Sequence, residues 1–206
     1  MRYDWKKMEK IFYAPKNKPE IVVVPPMRFF SIRGEGNPND SFFSDYIGVL
    51  YALSYAVKMS PKSGTAPENY SEYSIYPLEG VWDFNDKAGI GTTERMDKDA
   101  LIFNLMIRQP EFVTADFAAG IIEQVKKKKS LPLLDKVKFE SFVDGNCVQM
   151  LHIGMYDNEP QSFAGMEAFA ESQGLVRRNK THREIYLSDP RKTQPDRLKT
   201  ILRFQV

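Results

Sequence analysis

Cysteine is almost missing from this 206-residue chain. Cys147 stands alone, so no internal disulfide can form, and the protein suits a reducing compartment. Its apolar strand context reads as a buried structural thiol rather than a nucleophile. Histidine is nearly as scarce. Two histidines and one cysteine, spread over distant segments, supply no ligand set for zinc or another transition metal, and no cofactor is expected. An excess of charge of one sign is missing too: Lys plus Arg number 29 against 27 Asp plus Glu, and a net charge of +2 gives no field for capturing nucleic acid. The one basic run, Lys126 to Lys129, follows an amphipathic pattern and reads as solvated cations at a helix C-terminus. Met1 to Lys10 is charged throughout and lacks the apolar stretch of a signal peptide. Nowhere does the chain approach the roughly 20 apolar residues that a membrane span needs. A cytoplasmic location with no membrane partner is the expectation. Gly34-x-Gly36 and Gly89-x-Gly91 are too short for a phosphate loop, and there is no Gly-x-Ser-x-Gly elbow.

What is present is an ordinary globular balance, 42% hydrophobic and 27% charged, in a length that suits one domain with a proper core. Residues 1–20 mix Trp5, Ile11, Phe12 and Tyr13 with lysines and prolines, as in a short helical arm laid on the body. Residues 21–206 then form the domain. Met27 to Arg33 reads as a strand ending at the Gly34–Pro38 turn. A helix follows, with N-cap oxygens at Asn39, Asp40 and Ser41, apolar residues from Phe43 to Val57 at helical spacing, and a stop at Ser60-Pro61. An aromatic segment from Tyr70 to Phe84, a charged turn and an apolar strand from Leu101 to Ile107 come next. Val113, Phe117, Ile121 and Val125 mark a second helix. Strands at Val137 to Val143 and Cys147 to Ile153 flank Asp144-Gly145, which predicts a tight hairpin. A helix from about Ser162 to Ser172, with Gly174 as its C-terminal cap, precedes strands at Arg183 to Leu187 and Thr200 to Phe204.

The two halves, about 24–130 and 137–206, repeat one order: strand, helix, strand, strand. The fold class expected is α+β, a duplicated β-α-β-β unit with pseudo-twofold symmetry, its antiparallel sheet covered by helices on one face and open as a central ligand cleft on the other. Period-two alternation puts His182, Glu184 and Tyr186 on one face of their strand, with Ile185 and Leu187 pointing the other way, under a helix. Trp82 shares a face with Phe84 on the matching strand of the first half, so Trp82 and Glu184 would meet across the cleft. Taken singly, an acid on a strand faces solvent, a Trp packs in a core, and His152 is a hydrogen-bonded packing residue. The aromatic content, ten Tyr and fourteen Phe, suits a pocket for planar apolar molecules.

Four strings carry a resemblance: Tyr76-Pro77-Leu78-Glu79-Gly80-Val81-Trp82, Met106-Ile107-Arg108-Gln109-Pro110, His152-Ile153-Gly154-Met155-Tyr156-Asp157-Asn158-Glu159, and His182-Arg183-Glu184-Ile185-Tyr186-Leu187-Ser188-Asp189-Pro190-Arg191. In this order the chain resembles the free-standing branch of the GyrI-like, or gyrase-inhibitor-like, small-molecule-binding family, over nearly its whole length after Ile21. The resemblance implies a cleft with the acid of His-x-Glu-Ile-Tyr-Leu, here Glu184, at its heart. It also implies hydrolysis of cyclopropane-bearing DNA alkylators, with Glu184 as general base and a tyrosine, Tyr156 ahead of Tyr186, stabilising the phenolate. Trp82, Tyr186, Glu79, Tyr76, His182 and Met106 are assigned to ligand binding. The chain departs from the family pattern at Met155, where Pro is common, and at Asp83, where a second Trp is common, which alters the cleft's rim. Only about two dozen residues precede the first repeat, with no helix-turn-helix among them, so direct DNA binding is not expected. The rival reading is a non-catalytic module that sequesters cationic aromatic drugs through Glu184 and Trp82. Protection of gyrase by surface contact is a third reading and the least favoured.

Overall fold

The computed structural model describes residues 3–84 and 98–206. Among them one antiparallel sheet runs in the order β1-β6-β8-β7-β3-β4-β2-β5. Its strands are β1 (Glu20–Val24), β2 (Met27–Glu35), β3 (Leu78–Phe84), β4 (Leu101–Arg108), β5 (Lys138–Phe142), β6 (Gly145–Ile153), β7 (His182–Tyr186) and β8 (Lys199–Gln205). The charged turn after Phe84 and Gly89-x-Gly91 lie outside the described residues. Strand β4 is apolar except at Asn104 and Arg108, and β8 is buried from Thr200 to Phe204, because both faces of the sheet are covered there.

Three helices lie on one face: α3 (Phe43–Met59), α4 (Ala115–Lys128) and α5 (Glu159–Ser172). Leu50, Leu53 and Val57 of α3 pack on Phe30, Ile32, Leu105 and Ile107, while Met166 and Ala170 of α5 pack on Val148, Met150, Leu202 and Phe204. Thr114 caps α4 by accepting from the Phe117 amide, and the lysines of its last turn sit at the negative end of the dipole. Helix α5 begins at Glu159, earlier than the pattern predicts, because Pro160 in the first turn needs no amide hydrogen. No helix among the described residues is long and apolar enough to cross a membrane.

The Asp144-Gly145 hairpin is corrected. Gly145 does adopt the left-handed φ of +66° that such a turn uses, but β5 pairs with β2 at one end of the sheet while β6 pairs with β1 and β8 at the other. Turn chemistry fixes a local bend; cross-strand packing fixes the partner. Because two residues join opposite ends of the sheet, the sheet must curve until those ends meet. The Val24 to Met27 link crosses beside it, with Val24 opposite Gly145 and Met27 opposite Phe142.

The sidedness of β7 is corrected as well. Register places Glu184 between Gly80 and Leu202, on the face that carries the helices, whereas Arg183 and Ile185 point to the opposite face. Alternation tells which residues share a face, and says nothing about which face the helices choose. The opposite face is closed by the N-terminal arm, α1 (Trp5–Met8) and α2 (Lys10–Tyr13). The indole of Trp5 donates to the Ile75 carbonyl (2.9 Å), Arg203 donates to the Phe12 carbonyl (2.9 Å), and Gln149 donates to the Ile11 carbonyl (2.7 Å).

Candidate active site

Helix α3 covers β2 and β4, and α5 covers β6, so the central pair β3 and β7 lies in the gap between them. Here the polar face of β7 finds its use. The Tyr186 hydroxyl donates to Glu184 Oε2 (2.8 Å), His182 Nε2 contacts Glu184 Oε1 (3.0 Å), and the Trp82 indole donates to the Tyr186 oxygen (2.8 Å). The relay Trp82 to Tyr186 to Glu184 therefore holds the carboxylate from the neighbouring strand. Gly80 permits it: a Cβ there would lie 2.7 Å from the indole nitrogen and 3.2 Å from the Tyr186 hydroxyl.

Aromatic rings wall this carboxylate. Phe43 of α3 stacks on Trp82 (6.1 Å, 30°), Phe163 of α5 meets His182 edge-on (4.6 Å), and Tyr156 meets Tyr186 edge-on (6.1 Å). Glu184 is only 9% exposed and Trp82 7%, whereas Tyr156 is 38% exposed at the mouth of the cluster. Burial, reinforced by the nearby Glu184 charge, raises the Tyr186 hydroxyl well above the ordinary tyrosine range and pushes Tyr156 up to about 12. Both stay neutral donors at neutral pH. The Tyr186 proton is already committed to Glu184, while the Tyr156 hydroxyl takes no hydrogen-bond partner among the described residues. Glu159, at the first turn of α5, is buried, and that burial, followed by the Glu184 charge, raises its carboxyl well above the ordinary carboxylate range.

Glu184, Trp82, Tyr186, His182 and Tyr156 are thus brought together. Glu79, Met106 and Tyr76 are not. They lie on the arm side of the sheet, where Arg183 binds Glu79 (3.0 Å), the Met106 sulfur (2.9 Å) and Asp144 (2.7 Å), and Tyr76 donates to Glu9 (2.6 Å). Glu79 is one residue from Gly80, the partner of Glu184, and alternation sends it through the sheet. His152 packs between Ser162 and the Met155 carbonyl, and burial pushes the Cys147 thiol up to about 11, which suits an inert core thiol. Sequence reasoning missed Glu159, Gly80, Phe43 and Phe163. Glu159 and Gly80 stand inside the strings quoted above, but an acid in a first helical turn looks like a dipole partner. The need for a glycine appears only once register places Glu184 opposite. Among the described residues no group of three His, Cys, Asp or Glu side chains is placed to hold a metal.

A family profile described as the GyrI-like small molecule binding domain matches residues 17–206. A hydrolase encoded by lin2189 from Listeria innocua is 38% identical, covering 99% of this chain and 98% of its own, with a TM-score of 0.87. An uncharacterized conserved protein from Listeria innocua is 40% identical over 98% of both chains, with a TM-score of 0.89. The EcmrR C-terminal domain, 12% identical over 91% of this chain and 96% of its own with a TM-score of 0.55, shares the fold alone. No curated protein matches.

Proposed function

The chain belongs to the GyrI-like small-molecule-binding domain family, and from that premise we propose that it binds planar hydrophobic compounds beside Glu184 and hydrolyses electrophilic ones that carry a cyclopropane. The hydrolase class follows from 38% identity over nearly the full length of a hydrolase; the substrate is our inference. The observation that carries it is a nearly buried carboxylate, oriented by two neighbouring side chains and walled by rings, with a neutral tyrosine hydroxyl at the mouth.

Glu184 takes a proton from water as the water oxygen bonds to the strained ring carbon. The ring C–C bond breaks, and its electron pair runs through the conjugated system to the carbonyl oxygen, which becomes a phenolate. Tyr156 donates a hydrogen bond to that oxygen, and the proton held by Glu184 finally returns through solvent to give a phenol. Water has been added and nothing oxidised. General-base assistance of this kind supplies about 10²–10⁴-fold. Trp82, Tyr186 and Phe43 supply stacking faces, and His182 holds the second carboxylate oxygen. Glu79, Tyr76 and Met106 support the site from behind the sheet.

The proposed architecture is two β-α-β-β units, β2-α3-β3-β4 and β6-α5-β7-β8, related by a pseudo-twofold axis between β3 and β7. A sheet order that reads alike from both ends supports it. A carboxylate walled by aromatic rings also favours a second reading, sequestration of cationic aromatic drugs.

The test incubates wild type and Glu184→Gln with a cyclopropane-bearing DNA alkylator and follows water addition by mass spectrometry. Ring opening by wild type well above buffer, lost by about 10²-fold or more in the variant, is the expected result. If both proteins bind the compound and neither turns it over, the enzyme reading fails for this substrate class. Weaker binding of cationic but not neutral dyes by Glu184→Gln would then favour sequestration.

A further inference from the structure

The side chains that meet around Glu184 come from two strands, Trp82 from β3 and His182, Glu184 and Tyr186 from β7. Among the described residues those strands share four pairs: Glu79 with Ile185, Gly80 with Glu184, Val81 with Arg183, and Trp82 with His182. Alternation forbids a slip by one residue, which would turn every side chain over, but it does not forbid a slip by two. Such a slip would set Glu184 opposite Leu78 or Trp82 instead of Gly80, and the space over Gly80 that the indole nitrogen and the Tyr186 hydroxyl occupy would be lost to the site. So short a seam needs something else to fix its register.

Arg183 lies between His182 and Glu184 in the chain and points to the arm face, its side chain 6% exposed. Its Nε and Nη2 grip both oxygens of Asp144 at the β5–β6 corner (2.7 and 2.8 Å), a fork that leaves the guanidinium little freedom. From there Nη1 reaches diagonally across the seam to Glu79 Oε2 (3.0 Å), two residues along β3 from Val81, and meets the Met106 sulfur of β4 (2.9 Å). A slip by two residues would carry Glu79 about 7 Å along the strand, away from a guanidinium that Asp144 holds in place. We infer that Arg183 is a positioning residue: anchored to Asp144, it selects the β3–β7 register through Glu79 and so holds Glu184 opposite Gly80, beside Trp82 and Tyr186. Setting register is the best-attested use of a buried ion pair, which is otherwise a weak source of stability. The effect on rate rests on the reading of Glu184 as the base; the effect on register does not.

The test removes Arg183 and Glu79 together. Apolar substitutes of similar size commonly match the stability of a buried ion pair, so Arg183→Met/Glu79→Leu should keep a Tm close to that of wild type. The chain has two tryptophans, and a nitrogen-15 correlation spectrum resolves their two indole signals; Trp82→Phe identifies that of Trp82. In wild type this signal should be single, from an indole bonded to Tyr186. In the double variant it should split or broaden as β3 and β7 sample more than one register. In the alkylator assay kcat should fall by about 10²-fold, the scale of a catalytic group displaced by about 1 Å. A merely structural role predicts a wild-type Trp82 signal and kcat once the Tm is restored, and that outcome would overturn the inference. Arg183→Lys keeps the charge but loses the fork, so its ammonium can follow Glu79 along β3. It should disturb the Trp82 signal in the same way with a smaller loss of rate, and it decides the matter should the double variant not fold. An unchanged signal and rate in Arg183→Lys would also overturn the inference. If wild type does not open the alkylator, the hydrolase reading fails by itself, and the Trp82 signal still decides whether Arg183 sets the register.

Discussion

At Gly80 the side chain is a hydrogen atom, and the indole nitrogen of Trp82 and the hydroxyl of Tyr186 close over it. A methyl group there would sit 2.7 Å from that nitrogen, so in Gly80→Ala the hydrogen bond between Trp82 and Tyr186 must open and Glu184 loses its oriented donor. The variant should keep the wild-type circular dichroism spectrum and lose about 10²-fold in hydrolysis, because displacement by about 1 Å costs that much. Full activity with an intact fold would show that the relay is dispensable. Much of this constellation was legible residue by residue. Period-two spacing groups His182, Glu184 and Tyr186 without any structure, and the parallel between the halves brings in Trp82. Gly80 was illegible because its significance is a distance to a side chain from another strand, which no local pattern carries.

Among the elements, the N-terminal arm shows how burial and function separate. Trp5 is 4% exposed and stacks on Tyr76, Tyr13 is 3% exposed and reaches Glu79, and Glu9 pairs with Arg108, all across the sheet from Glu184. Trp5→Ala should therefore cost about 3–5 kcal/mol, the usual range for a buried Trp truncation. In a chain of this length that lowers Tm by on the order of 10 °C. Thermal denaturation checks the loss, and kcat at 25 °C should stay at the wild-type value. A large fall in kcat would tie the arm to the site. Apolar residues between lysines and prolines read as an arm laid on the body; which face it covers depends on the sheet's curvature. The same curvature explains the missed hairpin. Most strands and all three long helices follow from alternation, helical spacing and prolines, whereas the pairing of β5 with β2 and of β6 with β1 is a long-range outcome.

For the molecule as a whole, the curved sheet divides two environments. On the arm side, Arg183 is shared by Glu79 and Asp144, and the guanidinium overcomes the effect of burial to hold Asp144 below the usual carboxylate range. On the helix side, Glu184 lies in the gap between α3 and α5 with Trp82, Tyr186, His182, Phe163 and Tyr156 around it. A ligand that enters that gap binds the folded chain and not the unfolded one, so it must raise the stability of the entire domain. With the non-hydrolysing Glu184→Gln variant and an alkylator at 100 times its Kd, the gain is about 2.7 kcal/mol. That corresponds to a rise in Tm of roughly 5–10 °C for a chain of this size. Adding Trp82→Ala should remove the rise by removing a stacking wall, while adding Trp5→Ala should lower the starting Tm and leave the rise intact. The opposite pattern, a rise that survives loss of Trp82 and vanishes with Trp5, would place the ligand on the arm side, against Glu79 and Tyr76, and would move the active face of the molecule to the other side of the sheet.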